Sequence, residues 1–310
     1  MSQEKILIAG GTGHYGRHIT KCLLQVRADV RVLTRNAEKA HELFGAEVEI
    51  VEGDLTISSD RIKALKGVTR LVAAVAAHDR KLIRRRTEIE RDCLLAFFDE
   101  ADHEGATRVV YLSGYEMREA FVRSLGLMHF ARPQLDVEAA LARSTLHWTV
   151  LGCAPSMELF FAMIRRNAMT VPGGGPASLP AISAKDVGQI TAQVVLRDDL
   201  AERRFRLTGP EAFSFPEAAR IIGTVWERKI RYRRIPITVL RTAAFLSKPV
   251  SPYLTYLSQA VKLMNNFPQD LAAAVPDDHR LLRETFDFEP TTLEEEARRR
   301  RRFYTTVTPI

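Results

Sequence analysis

The chain has 310 residues, 46% of them hydrophobic, with 45 Lys or Arg against 38 Asp or Glu and a formal net charge of +7. That length buries a sizeable core, and that composition excludes an intrinsically disordered chain. The charge fits an anionic ligand or a generic basic surface and does not by itself imply nucleic acid. Cys22, Cys93 and Cys153 stand alone with no C-x-x-C pair, and the eight histidines form no H-E-x-x-H cluster, so neither disulfides nor a bound metal are expected. No charged-then-apolar leader precedes the first glycines. The apolar stretch from Ile235 to Met264 is broken by Arg241, Lys248, Pro249 and Pro252, so it does not span a bilayer. The expected compartment is the cytoplasm, with no membrane partner.

The first element is a short apolar strand from Ile6 that breaks into Gly10-Gly-Thr-Gly-His-Tyr-Gly16, with a helical pattern opening at Arg17. Each glycine of this G-x-x-G-x-x-G spacing has a physical task. Gly10 permits the tight strand-to-helix turn, Gly13 lets backbone approach a pyrophosphate, and Gly16 lets the helix pack close to the strand. The free N–H groups at the helix start then face the phosphates. Asp29–Thr34 reads as the second strand and ends in Arg35, where an NAD-binding chain carries an acidic residue for the ribose hydroxyl. A guanidinium there suits a 2′-phosphate, so NADP(H) is expected over NAD(H).

Strand and helix patterns then alternate, the signature of a Rossmann-type, doubly wound parallel α/β sheet. A helix over Ala37–Phe44 precedes a strand over Glu47–Val51. Arg70–Val75 is the fourth strand, followed by a long charged helix through about Glu104 on which Arg84, Arg85 and Arg86 form a solvated face. Arg108–Ser113 and His147–Leu151 are the fifth and sixth strands, with a helix near Pro133–Arg143 between them. Past Gly152 the rhythm changes. Ser183-Ala-Lys-Asp186, Ser214-Phe-Pro-Glu217 and Thr292-Leu-Glu-Glu295 are helix-capping patterns, and Arg203–Leu207 reads as a strand. The domain reading is a nucleotide-binding core over 1–155 and a smaller α/β substrate or partner lobe over 156–310, interleaved with late core elements. Met157, Phe160, Phe161 and Met163 have the spacing of a core stripe that can also line an apolar pocket. The run Arg298–Arg302 follows Glu294–Glu296, so it complements a helix dipole rather than forming a nucleic-acid patch.

These landmarks together resemble the NmrA-like branch of the atypical short-chain dehydrogenase/reductases. The resemblance rests on the Gly10–Gly16 turn, Arg31-Val-Leu-Thr-Arg35, Glu52-Gly-Asp-Leu55, Val109-Val-Tyr-Leu-Ser113, Trp148-Thr-Val-Leu151, Ala184-Lys-Asp-Val-Gly188, Leu207-Thr-Gly-Pro-Glu211 and Pro290-Thr-Thr-Leu-Glu294. It implies a Rossmann core, a small C-terminal lobe and usually NADP(H). Carried over to this chain, Thr12, Gly13, His14 and Tyr15 line the pyrophosphate and Arg35 meets the 2′-phosphate. Asp54 and Leu55 flank the adenine, Ala73 to Val75 with Ala74 at their centre run under the ribose, and Cys153 to Pro155 lie beside the nicotinamide.

One departure matters more than the match. The superfamily's Tyr-x-x-x-Lys pair falls here on Phe130-Ala-Arg-Pro-Gln134, in a register set by Glu138. Phenylalanine cannot donate a proton, and neutral Gln134 brings no charge, though it can hydrogen-bond the ribose. Tyr115 past the fifth strand and His129 beside Phe130 are the remaining candidate proton donors, each also readable as a packing or surface residue. The expected activity is hydride transfer from NADP(H) to a small apolar or aromatic, activated acceptor: a quinone, an enone or a dye. The alternative is a non-enzymatic NADP(H) sensor that acts on a protein partner.

Overall fold

The computed structural model describes residues 4–116, 118–247 and 252–305. In chain order the elements begin with β1 (Lys5–Ala9), α1 (Gly16–Gln25), β2 (Asp29–Thr34), α2 (Ala37–Phe44), β3 (Glu49–Glu52), α3 (Ser58–Leu65) and β4 (Arg70–Ala73). A 3-10 turn over Ile83–Arg85 and a π-turn over Glu88–Asp92 lead into α4 (Cys93–His103). Then come β5 (Arg108–Gly114), α5 (Glu119–Ser124), α6 (Met128–Leu141), β6 (His147–Cys153), α7 (Glu158–Ala162), β7 (Ile164–Arg165), β8 (Ala168–Pro172), β9 (Leu179–Pro180) and α8 (Ala184–Leu196). The chain continues through β10 (Arg203–Leu207), β11 (Ala212–Phe213), α9 (Phe215–Val225), β12 (Arg231–Ile235), α10 (Ile237–Ser247), α11 (Tyr253–Asn265), α12 (Gln269–Ala273), α13 (Val275–Thr285) and α14 (Leu293–Thr305).

These elements form two compact units. One takes the chain through Phe121, then Met128–Cys153 and Val187–Arg206. Its seven-stranded sheet has the order β10-β6-β5-β4-β1-β2-β3. The pairs β1–β2, β2–β3, β1–β4, β4–β5 and β5–β6 are all parallel. Strands buried on both faces read as unbroken apolar runs, and Ile6, Leu7, Ile8 and Ala9 of β1 are all buried. Helix α1 lays Ile19, Thr20 and Leu23 inward, the spacing of one helical face. The long charged helix expected after β4 is replaced by the 3-10 and π turns, so α4 starts only at Cys93. The π-turn widens the helix at Glu90 and turns that carboxylate inward, where it is buried.

In a parallel sheet covered by helices, each helix runs back against its strands, so helix C-termini lie beside strand beginnings. Arginines at those beginnings cap them. Arg31 Nη1 of β2 donates to the carbonyls of Ala64 and Lys66 at the end of α3, both at 2.7 Å. Arg70 and Arg108, the first residues of β4 and β5, reach the carbonyls of Val195 and Val194 in the last turn of α8 at 2.9 and 3.1 Å. Arg108 also donates to Thr149 Oγ1 and the His147 carbonyl. Burial pushes its guanidinium down to about 10, with Asp198 pulling the other way.

The second unit takes Val122–Leu127, Ala154–Asp186 and the chain from Leu207 onward. It holds a three-stranded sheet, β12-β8-β7, and the antiparallel pair β11–β9. Its core gathers Met157, Phe160, Phe161, Phe213, Phe215, Trp226 and Leu293. The rings of Phe160 and Phe215 meet edge to face with centroids 5.1 Å apart. The stripe on α7 is therefore core. The Ser214/Glu217 capping box is formed, and Thr292 and Glu295 cap α14 in the same reciprocal way. Farther along α14, Arg299 and Arg300 pair with Glu296, Arg300 also with Glu158, and Arg301 with Glu227. The side chains of Arg302, Phe303 and Tyr304 lie outside the described residues.

Candidate functional site

The sequence-derived candidates converge on one edge of the larger sheet. Gly10 follows β1, Arg35 follows β2, Asp54 lies just past β3, Ala74 follows β4, Tyr115 follows β5, and Cys153 ends β6. The chain runs β1 to β2 to β3 outward on one side of β1, then crosses to β4 on the other. Such a reversal opens a crevice at the carboxyl ends, between β1 and β4. Gly10 and Ala74 flank it, with Arg35 and Asp54 toward one side and Tyr115 and Cys153 toward the other.

The turn after β1 is built around its glycines. Gly10 sits at φ +83°, and a Cβ there would stand 2.4 Å from the carbonyl oxygen of Ala74. A Cβ on Gly16 would stand 2.0 Å from the Gly10 oxygen, so only a bare backbone lets α1 start this close to β1. Gly13 differs. Its N–H donates to Gly10 O at 2.9 Å, and a Cβ would meet only that oxygen, at 3.0 Å. The remaining side of Gly13 is open, and Gly13 and His14 are exposed while Thr12 and Tyr15 are half-buried. His14 and Tyr15 put their ring centroids 4.8 Å apart. Thr12 Oγ1 lies 3.4 Å from Thr34 Oγ1, which ties the turn to the end of β2.

Beyond that tie, Arg35 is exposed. Burial works against ionisation of Asp54, but hydrogen bonds from Thr56 and the charges of Arg35 and Arg85 outweigh it and hold its carboxyl below the usual range. Asp54 N donates to Asp60 Oδ2 at 2.8 Å, which fixes the turn, and Leu55 packs against the core.

On the other side, Phe130, Gln134 and Glu138 are four residues apart on α6 and share a face. Phe130 is buried, with the Arg86 guanidinium carbon 4.8 Å from its ring centroid. Gln134 Oε1 is buried with no hydrogen-bond partner among the described residues. Glu138 accepts from Ser113 Oγ and from Arg204 Nε, the latter at 3.0 Å. Arg204 also donates to the carbonyls of Tyr115 and Gly114, both at 2.9 Å. A Cβ on Gly152 would stand 2.8 Å from Arg204 Nη1 and 2.6 Å from the Tyr115 oxygen, so glycine at 152 leaves the clamp its room. Tyr115 is buried, at 4% exposure, while His129 at the start of α6 is exposed. Burial pushes the Cys153 thiol up to about 12, an inert form at neutral pH.

Sequence reasoning missed a second carboxylate knot. Glu90, 3% exposed, accepts from the Ala77 backbone at 2.7 Å, from Arg86 Nε at 2.8 Å and from His78 Nε2 at 3.0 Å. Arg86 Nη2 donates to the Phe130 carbonyl at 2.9 Å. Arg86 is thus no part of a solvated face: it is buried, and it joins the loop after β4 to α6. Its one legible signal was the Arg86/Glu90 spacing of four residues. Burial opposes ionisation of Glu90, but the His78 hydrogen bond and the charges of His78 and Arg86 outweigh it and hold the carboxyl low. Among the described residues there is no cluster of His, Cys, Asp or Glu that could hold a metal ion, and no helix is long and apolar enough to cross a membrane.

Several known proteins are similar to this chain. An oxidoreductase of Bacillus subtilis, YesF, which is itself uncharacterized, is 28% identical over 84% of this chain and 86% of its own. Among solved structures, the Citrobacter sp. triphenylmethane reductase in complex with NADP(H) superposes with a TM-score of 0.73 at 19% identity, over 95% of this chain and 99% of its own. NmrA, a negative transcriptional regulator, superposes with a TM-score of 0.76 at 16% identity, over 98% and 97%. At such identities the two structures speak for the fold alone, a Rossmann-type sheet. The NmrA-like family profile matches residues 2–296, and the chain belongs to that family.

Proposed function

We propose that this chain is an NADP(H)-dependent reductase that delivers hydride to an acceptor able to carry negative charge, such as a quinone, a conjugated enone or a dye. The carrying observation is the α6 face. Where the superfamily keeps its proton donor and its cation, this chain has a buried phenyl ring and an amide. An alkoxide developing from a simple ketone would find no poised donor there, and a general acid is worth roughly 10²–10⁴ in rate. An acceptor whose reduced anion takes its proton from water does not need one.

The residues present fit the cofactor. The open side of Gly13, at the N-terminal end of α1, suits a pyrophosphate, and exposed Arg35 suits a 2′-phosphate. The unpartnered Gln134 Oε1 is a buried acceptor suited to a ribose hydroxyl, since a buried oxygen is costly to leave unbonded. Bound there, the reduced nicotinamide supplies the hydride. The protein holds the two reactants in line, and positioning alone supplies several kcal/mol of the barrier. The clamp by Arg204 and the Glu90 knot keep the β5 end and α6 in place while that happens.

The test is turnover. Purified protein with NADPH should lose nicotinamide absorbance with quinones or dyes and remain slow with unactivated ketones. Arg35→Ala should weaken NADPH about tenfold or more and leave NADH unchanged, as expected for one charge-assisted contact. Tight NADPH binding with no turnover across the acceptor panel would favour the sensor reading, which the same bare α6 face also fits.

A further inference from the structure

The net charge of this chain has an address. From Arg228 to Gln269 there are eight Lys or Arg and not one Asp or Glu, so the segment carries +8 and the rest of the +7 chain sums to −1. Elsewhere several cations are matched with carboxylates, among them Arg61 with Glu100, Arg70 with Glu4, Arg204 with Glu138 and Arg301 with Glu227. Within the segment Arg228 stacks on Trp226 and Lys262 reaches a backbone carbonyl. Lys229, Arg231, Arg233, Arg234 and Arg241 are exposed, and among the described residues none of them forms an ion pair.

The same segment carries the two most exposed large apolar side chains of the described residues, Phe245 and Leu246. On α10, Phe245 is 77% exposed, Leu246 70% and Val239 58%, while Ala244 alone is buried. Val239 and Leu246 are seven residues apart, hence on one face of α10, with Phe245 beside them. Helix α10 follows the arginine-bearing strand β12 after a single residue, Pro236. Arginines on an edge strand can serve only to discourage strand pairing. That account leaves unexplained both the missing carboxylates and an exposed phenylalanine on the next helix.

We propose that this segment docks the protein on an anionic lipid surface, with α10 lying at the interface and not crossing it. The two features answer two properties of one partner. Acyl chains take up Phe245, Leu246 and Val239, and acidic headgroups attract the unpaired cations. A nucleic acid would satisfy the charge but offers no apolar layer for those three side chains. A second copy of this chain would bring the same positive charge against itself. The expectation that no segment crosses a bilayer is unaffected, since lying on a membrane needs no span of about twenty apolar residues.

Co-sedimentation with phosphatidylcholine vesicles, with and without phosphatidylglycerol, tests this on the full chain. Binding is expected only when phosphatidylglycerol is present, and it should weaken as salt rises. Phe245→Glu with Leu246→Glu should lower the partition coefficient about tenfold or more, as should Arg233→Glu with Arg234→Glu. All four positions are solvent-facing or nearly so, and the salt series on the unaltered protein stands apart from any folding effect. Equal binding to both vesicle types, or none, overturns the proposal. So does unchanged binding by the variants, retention on duplex DNA lost with the arginine pair, or a dimer that dissociates in the Phe245→Glu, Leu246→Glu protein.

Discussion

Gly13 and Gly16 have the same side chain and opposite reasons for it. A methyl group at 16 would collide with the Gly10 carbonyl at 2.0 Å, so the fold itself demands glycine there. A side chain at 13 has open space beyond one 3.0 Å contact. Gly16→Ala should therefore cost about 3 kcal/mol or more by urea unfolding, in the range of overpacking and backbone strain. Gly13→Val should stay folded by circular dichroism yet lose measurable NADPH binding. A Gly13→Val protein that binds NADPH normally would move the cofactor away from this turn. The spacing of these glycines was readable because each answers a local constraint. Glu90 was not readable. Two of its three partners, Ala77 and His78, come from the loop after β4 and the third, Arg86, from the end of the 3-10 turn, and no periodicity announces that combination. Because its folded carboxyl is held below the unfolded value, its stabilisation is present above the ordinary glutamate range and is lost as pH falls through the folded value. Glu90→Gln should cost about 2 kcal/mol at neutral pH, and the gap to the natural protein should close in acid; a pH-independent gap would contradict that account.

At the scale of elements, legibility did not simply follow burial, since fully buried β4 stops at Ala73, two residues short of the reading, while half-exposed β10 was read whole. The bounds of β2, α2 and β10 coincide with those read from the sequence; a buried apolar run delimits β2, the Asn36 cap starts α2, and β10 alternates between exposed and buried residues. The stretch after β4 was not legible, because an even scatter of charge between residues 79 and 92 resembles a solvated helix until Glu90 and Arg86 turn inward. Nor do Arg31, Arg70 and Arg108 declare themselves as helix caps, since the carbonyls they bind are distant in sequence. The capping is nonetheless consequential. Removing the Arg108 guanidinium leaves the carbonyls of Val194 and His147 and the Thr149 hydroxyl short of a donor in a buried place. Arg108→Met should lower stability by about 3 kcal/mol in denaturant unfolding, despite the apolar gain of the replacement. A neutral outcome would mean that water reaches those carbonyls.

At the scale of the whole molecule, the sheet order opens the crevice between β1 and β4 in which we propose the nucleotide binds, and that crevice followed from alternation plus one glycine turn. Saturating NADPH, at about a hundred times its dissociation constant, should add about 2.7 kcal/mol to the unit that binds it. A rise of roughly 5–10 °C in the corresponding thermal transition would register that, with a smaller rise for NADH. No shift with either nucleotide would remove the basis for a cofactor-dependent role. The pairing of Gly152 with Arg204 reaches further, into how such a chain can drift. The guanidinium occupies the volume that any other residue at 152 would claim, and it alone joins Glu138 to the carbonyls at the end of β5. Neither position can change first without loss: a side chain at 152 evicts the arginine, and a shorter residue at 204 takes a donor from the carbonyls of Gly114 and Tyr115 and leaves Glu138 only Ser113 of its two donors. The two sites are one heritable trait written in two places, open to change only through a step that alters both.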